Sequence, residues 1–152
     1  MATYVGQNHG ARRTDRVKQG IRDGCIIQLC YCAAAWVVIF FVKDWAVNLV
    51  LGDAAPAVTA GAVEYLAVIS MLFCFHGLLM IFRNTLQGLG YSVQAVISGV
   101  GELIGRSIGG WLAVHSLGYF GICISNPIAW GLALLYCVFM VARVLKKEKA
   151  VA

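Results

Sequence analysis

The sequence has little charge for its length. Only 12% of its 152 residues are Asp, Glu, Lys or Arg, whereas 61% are hydrophobic, and the mean hydropathy is +0.80. A soluble domain of this size carries about 25% charged residues. These few charges cannot cover a globular surface with polar groups, so the composition argues against a soluble enzyme or nucleic-acid-binding domain, despite a net charge of +5. It also excludes a disordered chain, and we predict that lipid surrounds most of this one.

Motifs of catalysis and metal binding are also lacking. The sequence contains no G-x-S-x-G, H-E-x-x-H or P-loop motif, and the turn at residues 88–90 lacks the strand context of a dinucleotide-binding loop. All six cysteines lie in apolar runs without C-x-x-C spacing. We interpret them as small buried hydrophobic residues, and not as disulfide partners or metal ligands. We therefore expect a protein that is not an enzyme, with no catalytic residue, metal site, cofactor or nucleic-acid partner.

Long apolar stretches are abundant instead. Four of them reach the roughly 18 residues that a helix needs to cross a hydrocarbon layer of about 30 Å. They cover residues 25–42, 63–83, 93–114 and 120–142. The last contains Asn126-Pro127, which predicts a kink that neighbouring helices can accommodate. The sequence thus predicts an all-α, polytopic membrane protein whose four transmembrane helices lie within residues 24–143.

The cations are concentrated at the two ends of the chain. Five of the twelve precede Gly24, and four follow Ala142. Lys and Arg near the ends of spans favour the cytoplasm, and four spans return the chain to the side where it began. We predict a protein of the cell membrane with both termini cytoplasmic. Residues 1–23 would form a loop and a lead-in helix capped by Thr14 or Asp15, and residues 144–152 a basic tail.

Two charged residues lie deep in the third span. Glu102 is roughly 15 Å from the start of this span at helical rise, and Arg106 follows one turn later on the same face. A charge at the bilayer centre costs at least about 2.5–3.5 kcal/mol on insertion scales. The pair therefore indicates either an ion pair that locks helices together or a polar cavity on a substrate or ion path. Both interpretations stay open.

The second span carries a polar stripe of its own. His76 and Arg83 share a face with three other residues at helical spacing, namely Met80, Asn84 and Gln87. Histidine can change charge between about pH 5 and 8, which makes His76 a candidate for proton-linked switching, or it is a neutral interhelical hydrogen-bonding group. Arg83 lies close to the cytoplasmic end, from which its side chain can extend toward the interface.

Three glycines follow one another at four-residue spacing in the third span. Gly101, Gly105 and Gly109 lie on one helix face, where the lack of side chains lets another backbone approach closely. This pattern is typical of packing in transmembrane helices, and it equally suits a surface for a partner.

Several segments resemble the MATE (multidrug and toxic compound extrusion) family of transporters. Residues 4–11, YVGQNHGA, followed by residues 15–17, are similar to the QNxGA-type cytoplasmic loop of that family's carboxy-terminal lobe. Residues 83–90, RNTLQGLG, resemble its LQGxG turn, residues 64–66 a helix start, and residues 117–127 its last helix hairpin. These matches occur in the family's order and spacing over nearly the whole chain. The resemblance assigns five residues to the loop motif: Gln7, Asn8, Gly10, Ala11 and Arg16.

The resemblance implies an antiporter that expels organic cations and other drugs, driven by sodium ions or protons. Family members have twelve helices in two lobes, so these four spans would be helices nine to twelve. The partners implied are membrane lipid, the other eight helices and the drug substrate. Some sodium-coupled members carry an acid in the tenth helix at the place of His76, which leaves Glu102 as the nearest embedded acid. Transport and coupling candidates are thus Glu102, Arg106, His76 and Arg83, and the coupling ion stays open.

Two other functions are compatible with the same residues. The chain could be a self-sufficient small exporter of four helices that acts as an oligomer. Alternatively, it could be a non-transporting membrane subunit or scaffold that binds a partner through its glycine face.

Overall fold

The computed structural model describes residues 1–52 and 54–149 and is helical almost throughout. Its elements are α1 (Ala2–Gly10), α2 (Thr14–Leu51), α3 (Pro56–Gly88), α4 (Ser92–Leu112), a π-helical turn (Ala113–Leu117) and α5 (Tyr119–Lys149). No strand occurs in these two ranges, so the predicted all-α fold is confirmed. The end of the predicted basic tail, residues 150–152, lies outside the described residues.

The predicted spans fall in the four long helices, except that the third, residues 93–114, runs from α4 into the π-helical turn. Three of these helices are both long and apolar enough to cross a membrane: α2, α3 and residues Tyr119–Lys147 of α5. Helix α4 has 21 residues, or about 32 Å at 1.5 Å per residue. It is less apolar than the other three because it carries Glu102, Arg106 and several Gly and Ser residues. The polytopic membrane fold is therefore carried by three strongly apolar helices, and α4 packs beside them with its charges.

The helices include polar residues that flank the apolar runs, and α2 is the clearest case. Helix α2 begins at Thr14, with Arg13 at its N-cap and no capping bond from a side chain. The expected cap by Thr14 or Asp15 is therefore wrong. Arg12 has a positive φ of 57°, and the Arg13 N–H donates to the Asn8 carbonyl at 2.8 Å. Backbone hydrogen bonds in this tight turn end α1. Helix α2 therefore begins at Thr14, one residue earlier than a cap at Thr14 would allow.

Residues 2–10 form a helix that the sequence did not predict. The Val5 side chain is fully buried, and it lies so close to α3 that a Cβ added to Gly88 would approach the Val5 Cβ to 2.8 Å. The Tyr4 ring covers Gly20, and its hydroxyl donates to the Arg16 carbonyl at 3.0 Å. Helix α1 is thus wedged between the start of α2 and the end of α3.

The core lies in the half of the bundle nearest α1. Its buried residues include Val17 near the start of α2, Leu86 near the end of α3, Ala95 near the start of α4 and Val141 in the second half of α5. At the opposite end, a groove of about 670 Å³ separates α2 from α3, and its lining includes Asp44, Asn48 and Glu64. The bundle is therefore tightly packed at one end and open at the other.

The position of α1 predicts the effect of one substitution. Val5→Asp places a carboxylate in a fully buried site and removes apolar burial of about 1.5–3 kcal/mol, so α1 should detach. We expect faster tryptic cleavage after Arg12 and Arg13 in detergent, measured by mass spectrometry. Thr3→Asp adds the same charge at an exposed position of α1 and is the matched control. Equal cleavage rates in the two variants would contradict this role of Val5.

Candidate functional site

Three charged side chains meet between α3 and α4. The Nη2 atom of Arg83 donates to Oε1 of Glu102, and Nη2 of Arg106 donates to Oε2 at 3.1 Å. The Glu102 side chain is only 14% exposed. Of the two interpretations left open by the sequence, the structure contains the ion pair of Glu102 with Arg106, and it adds Arg83 as a second partner. We call these three residues the charge triad.

The short connection between α3 and α4 brings the residues of the triad together. This turn is stabilised by backbone bonds from the Leu89 N–H to Thr85 and from the Tyr91 N–H to Leu86, and Gly90 has a φ of +86°. Because the turn is short, α3 and α4 run antiparallel, and residues equally distant from the turn lie at the same depth.

Arg83 and Ser98 occupy such equivalent positions. The Arg83 Nε donates to the Ser98 Oγ at 2.9 Å, and this hydroxyl donates in turn to the Ala95 carbonyl at 2.6 Å. Ser98 is almost completely buried. Of the two roles that the sequence allows for Arg83, extension toward the membrane interface does not occur, because its guanidinium turns inward to a buried hydroxyl and a carboxylate.

The triad is connected to a third helix by Asn126 of α5. The Arg106 Nε donates to the Asn126 Oδ1 at 3.1 Å, and the Asn126 Nδ2 donates to the Tyr65 hydroxyl oxygen, also at 3.1 Å. Tyr65 lies on α3. A continuous polar network therefore joins α3, α4 and α5, and it runs from Arg83 near the end of α3 to Tyr65 in the first third of that helix.

His76 lies beside this network in an aromatic cluster. Its ring stacks on Phe73 with centroids 5.2 Å apart and contacts the edge of Trp130 at 5.0 Å. Among residues 1–52 and 54–149, no hydrogen bond to the imidazole is found, so the contacts of His76 in the structure are those of its ring. His76 is close enough to Glu102 and Arg83 to interact with both electrostatically.

The loop-motif residues are not part of this site. Gln7, Asn8 and Gly10 lie on α1, Ala11 in the turn after it, and Arg16 in the first turn of α2. The Asn8 Nδ2 donates to the Tyr4 carbonyl at 2.8 Å, which is a bond within α1. These residues lie at one end of the bundle, where the Arg16 carbonyl accepts from Tyr4 of α1, whereas Glu102 lies in the middle of α4.

The glycine face of α4 is covered by α5. A Cβ added to Gly105 would lie 2.7 Å from the Ala129 nitrogen, and one added to Gly109 would lie 2.5 Å from the Ser125 Cα. Gly101 faces Ala133 in the same way, at 3.5 Å from its Cα. Small residues of the two helices therefore meet along one seam. The scaffold hypothesis required this face to be free for a partner. Because α5 covers it, the glycine face cannot be that binding surface.

The electrostatics of the triad limit its chemistry. Two guanidinium groups and one carboxylate give a net formal charge of +1, and each carboxylate oxygen accepts from an arginine. A sodium ion at Glu102 would therefore be repelled by two guanidinium groups that already pair with this carboxylate. No group of three or more His, Cys, Asp or Glu residues that could hold a metal ion is found in the described part of the chain. The arrangement can cross-link helices, exchange partners at Glu102, or present the remaining N–H donors of Arg106 to an anion.

Four members of the site were missed by the sequence analysis: Tyr65, Ser98, Asn126 and Trp130. Ser98 is one turn before Glu102 on the same face of α4, which was the available signal. Asn126 was noted as part of a helix-kinking pair, and its role as a ligand of Arg106 depends on the packing of α4 against α5.

Comparison with known proteins places the chain in a family. The MatE family model matches residues 1–112, which include α1 to α4 and the whole charge triad. No curated protein and no solved structure matches the chain. The matched range covers well over half of the sequence, and the three strongly apolar helices agree with a protein of the membrane. The chain therefore belongs to the MatE family of membrane transporters.

Proposed function

We propose that the chain forms helices nine to twelve of a MATE-type antiporter. This transporter exports organic cations and other drugs across the cell membrane in exchange for sodium ions or protons, and both ends of the chain are cytoplasmic. The family match and the basic residues at both ends support this assignment. Two lobes that rock about a cleft at the midplane of the membrane would provide alternating access.

The observation that carries the proposal is the position of Glu102. Its side chain is largely buried near the middle of α4 and bridges arginines from two helices. Ionisable groups inside spans are costly, and they commonly mark ion or substrate paths. A coupling cation that binds Glu102 would compete with its arginines, and loss of the Arg83 pair would weaken the contact between α3 and α4. Glu102 would thus link ion binding to helix movement.

Drug efflux from cells tests the function. A bacterial strain without its own drug exporters would produce the full chain alone, or together with the first eight helices of a MATE transporter as a separate polypeptide. We expect ethidium efflux only when both are present, and we expect an ionophore that collapses the sodium and proton gradients to stop it. Efflux by the chain alone, with a homo-oligomer in detergent, would instead establish the small exporter. Absence of efflux with both polypeptides present in the membrane would reject the transport proposal.

A further inference from the structure

Arg106 is an unusually exposed charge for its depth. Its side chain is 51% exposed, although it lies between the start of α4 and the end of the π-helical turn, far from both. A long cationic side chain commonly extends to the membrane interface, but Arg106 is held in place by Asn126 on its Nε and by Glu102 on one Nη. The guanidinium therefore stays at mid-depth with one side open.

The charge near Arg106 is only partly balanced. Within residues 1–52 and 54–149, Glu102 is the one carboxylate that pairs with either arginine of the triad. One positive charge is left over in a region where uncompensated charge is costly. A guanidinium has five N–H donors in a planar fork, and the two bonds just described use two of those on Arg106. Its remaining donors and its unbalanced charge together favour an anionic ligand.

Asn126 links a second donor, the Tyr65 hydroxyl, to Arg106. The Tyr65 hydroxyl oxygen accepts a bond from Asn126, which leaves the hydroxyl proton of Tyr65 to donate elsewhere. Asn126 contacts both Arg106 and Tyr65, so it sets their separation. A carboxylate has two acceptor oxygens and matches the planar arginine fork better than it matches a lysine ammonium.

We propose that the open side of Arg106, together with the Tyr65 hydroxyl, binds a carboxylate group of the transported molecule. This inference rests on the proposed transport function and specifies its substrate class: cationic compounds that also carry a carboxylate bind better than their esters. Arg106 is thereby a specificity-determining residue, and Glu102 and Asn126 position it.

A matched pair of dyes tests the inference by binding alone. Rhodamine B carries a fixed cation and a free carboxylate, and its ethyl ester has the same cation without the carboxylate. Their affinities for the full chain in lipid nanodiscs would be measured by fluorescence polarisation, with empty nanodiscs subtracted. We expect rhodamine B to bind about tenfold more tightly or better than its ester, as a charge-assisted bidentate contact implies.

Three variants assign the difference to Arg106. Arg106→Gln should abolish the preference for rhodamine B. Asn126→Asp should reduce it about tenfold, because the new carboxylate would pair with the Arg106 guanidinium in place of the ligand. Both variants keep Glu102 paired with Arg83, so both should fold, which size-exclusion chromatography would verify. Arg143→Gln removes a cation from an exposed position near the end of α5 and should leave the preference unchanged.

Two results would overturn the inference: equal affinities for the dye and its ester in the original chain, or a preference that persists in Arg106→Gln. The efflux experiment is independent of this measurement. Lack of efflux together with a preference that depends on Arg106 would reject transport but keep the carboxylate site. Equal binding of the dye and its ester, together with normal efflux, would reject only the site.

Discussion

Glu102→Gln should abolish drug efflux and also weaken folding of the bundle. The substitution keeps the shape of the side chain but leaves two guanidinium groups without their shared carboxylate. We expect the free energy of unfolding to fall by about 3 kcal/mol, the low end for a broken buried ion pair, because Arg106 is half exposed. Unfolding in detergent, followed by tryptophan fluorescence, measures the stability, and ethidium efflux in the two-polypeptide strain measures the function.

A double variant separates these two effects. Arg83→Gln/Glu102→Gln removes one cation along with the carboxylate, so a neutral hydrogen-bonding pair replaces the ion pair. Such replacements are often close to neutral in stability. We therefore expect most of the lost stability to return while efflux remains absent, because the carboxylate that takes part in coupling is still missing. Recovery of efflux in the double variant would remove Glu102 from the coupling mechanism and leave the triad with a structural role.

Gly105→Ala should separate α4 from α5. The added Cβ would contact the Ala129 backbone, including its nitrogen at 2.7 Å, and backbone atoms cannot move aside as a flexible side chain can. Overpacking of this kind costs about 1–3 kcal/mol. We expect a loss of that size in the free energy of unfolding, together with cleavage of the loosened α5 at low protease concentration.

Gly110→Ala is the matched control for this substitution. Gly110 lies in the same helix, and nothing lies within 4 Å of a Cβ added there. Alanine is the better helix former by about 1 kcal/mol, so this variant should be as stable as the original chain or more stable. If both variants lost stability equally, the seam between α4 and α5 would not be the tight contact described here.

The sequence predicted the site where the geometry is local and missed it where it is not. Glu102 and Arg106 are one turn apart on a helix, so their pairing follows from helical periodicity alone. The partner of Glu102 on α3 depends on the length of a turn and on the direction of a long side chain. The sequence therefore left Arg83 either as a coupling candidate or as a side chain that extends to the interface, and only the structure shows its contacts with Ser98 and Glu102 inside the bundle.

The fold too was predicted where it depends on local sequence and missed where it depends on contacts between distant segments. The four long helices follow from long apolar runs in a sequence with few charges, and α2, α3 and α5 extend beyond those runs at both ends. Helix α1 has no apolar face of this kind. Its docking depends on one valine and one tyrosine that fit against Gly88 and Gly20, and these contacts exist only once α2 and α3 have been brought together.

Helix α1 packs against the start of α2, so a tilt of α2 about this contact would move its far end. Val17 lies at the fulcrum beside α1, and Leu51 lies about 50 Å away along the helix at 1.5 Å per residue. A tilt of about 5° around Val17 therefore displaces the far end by roughly 4 Å, enough to change the width of the groove beside Asp44 and Glu64. A small shift of the segment that carries Gln7 and Asn8 would therefore produce a larger displacement at the far end of α2.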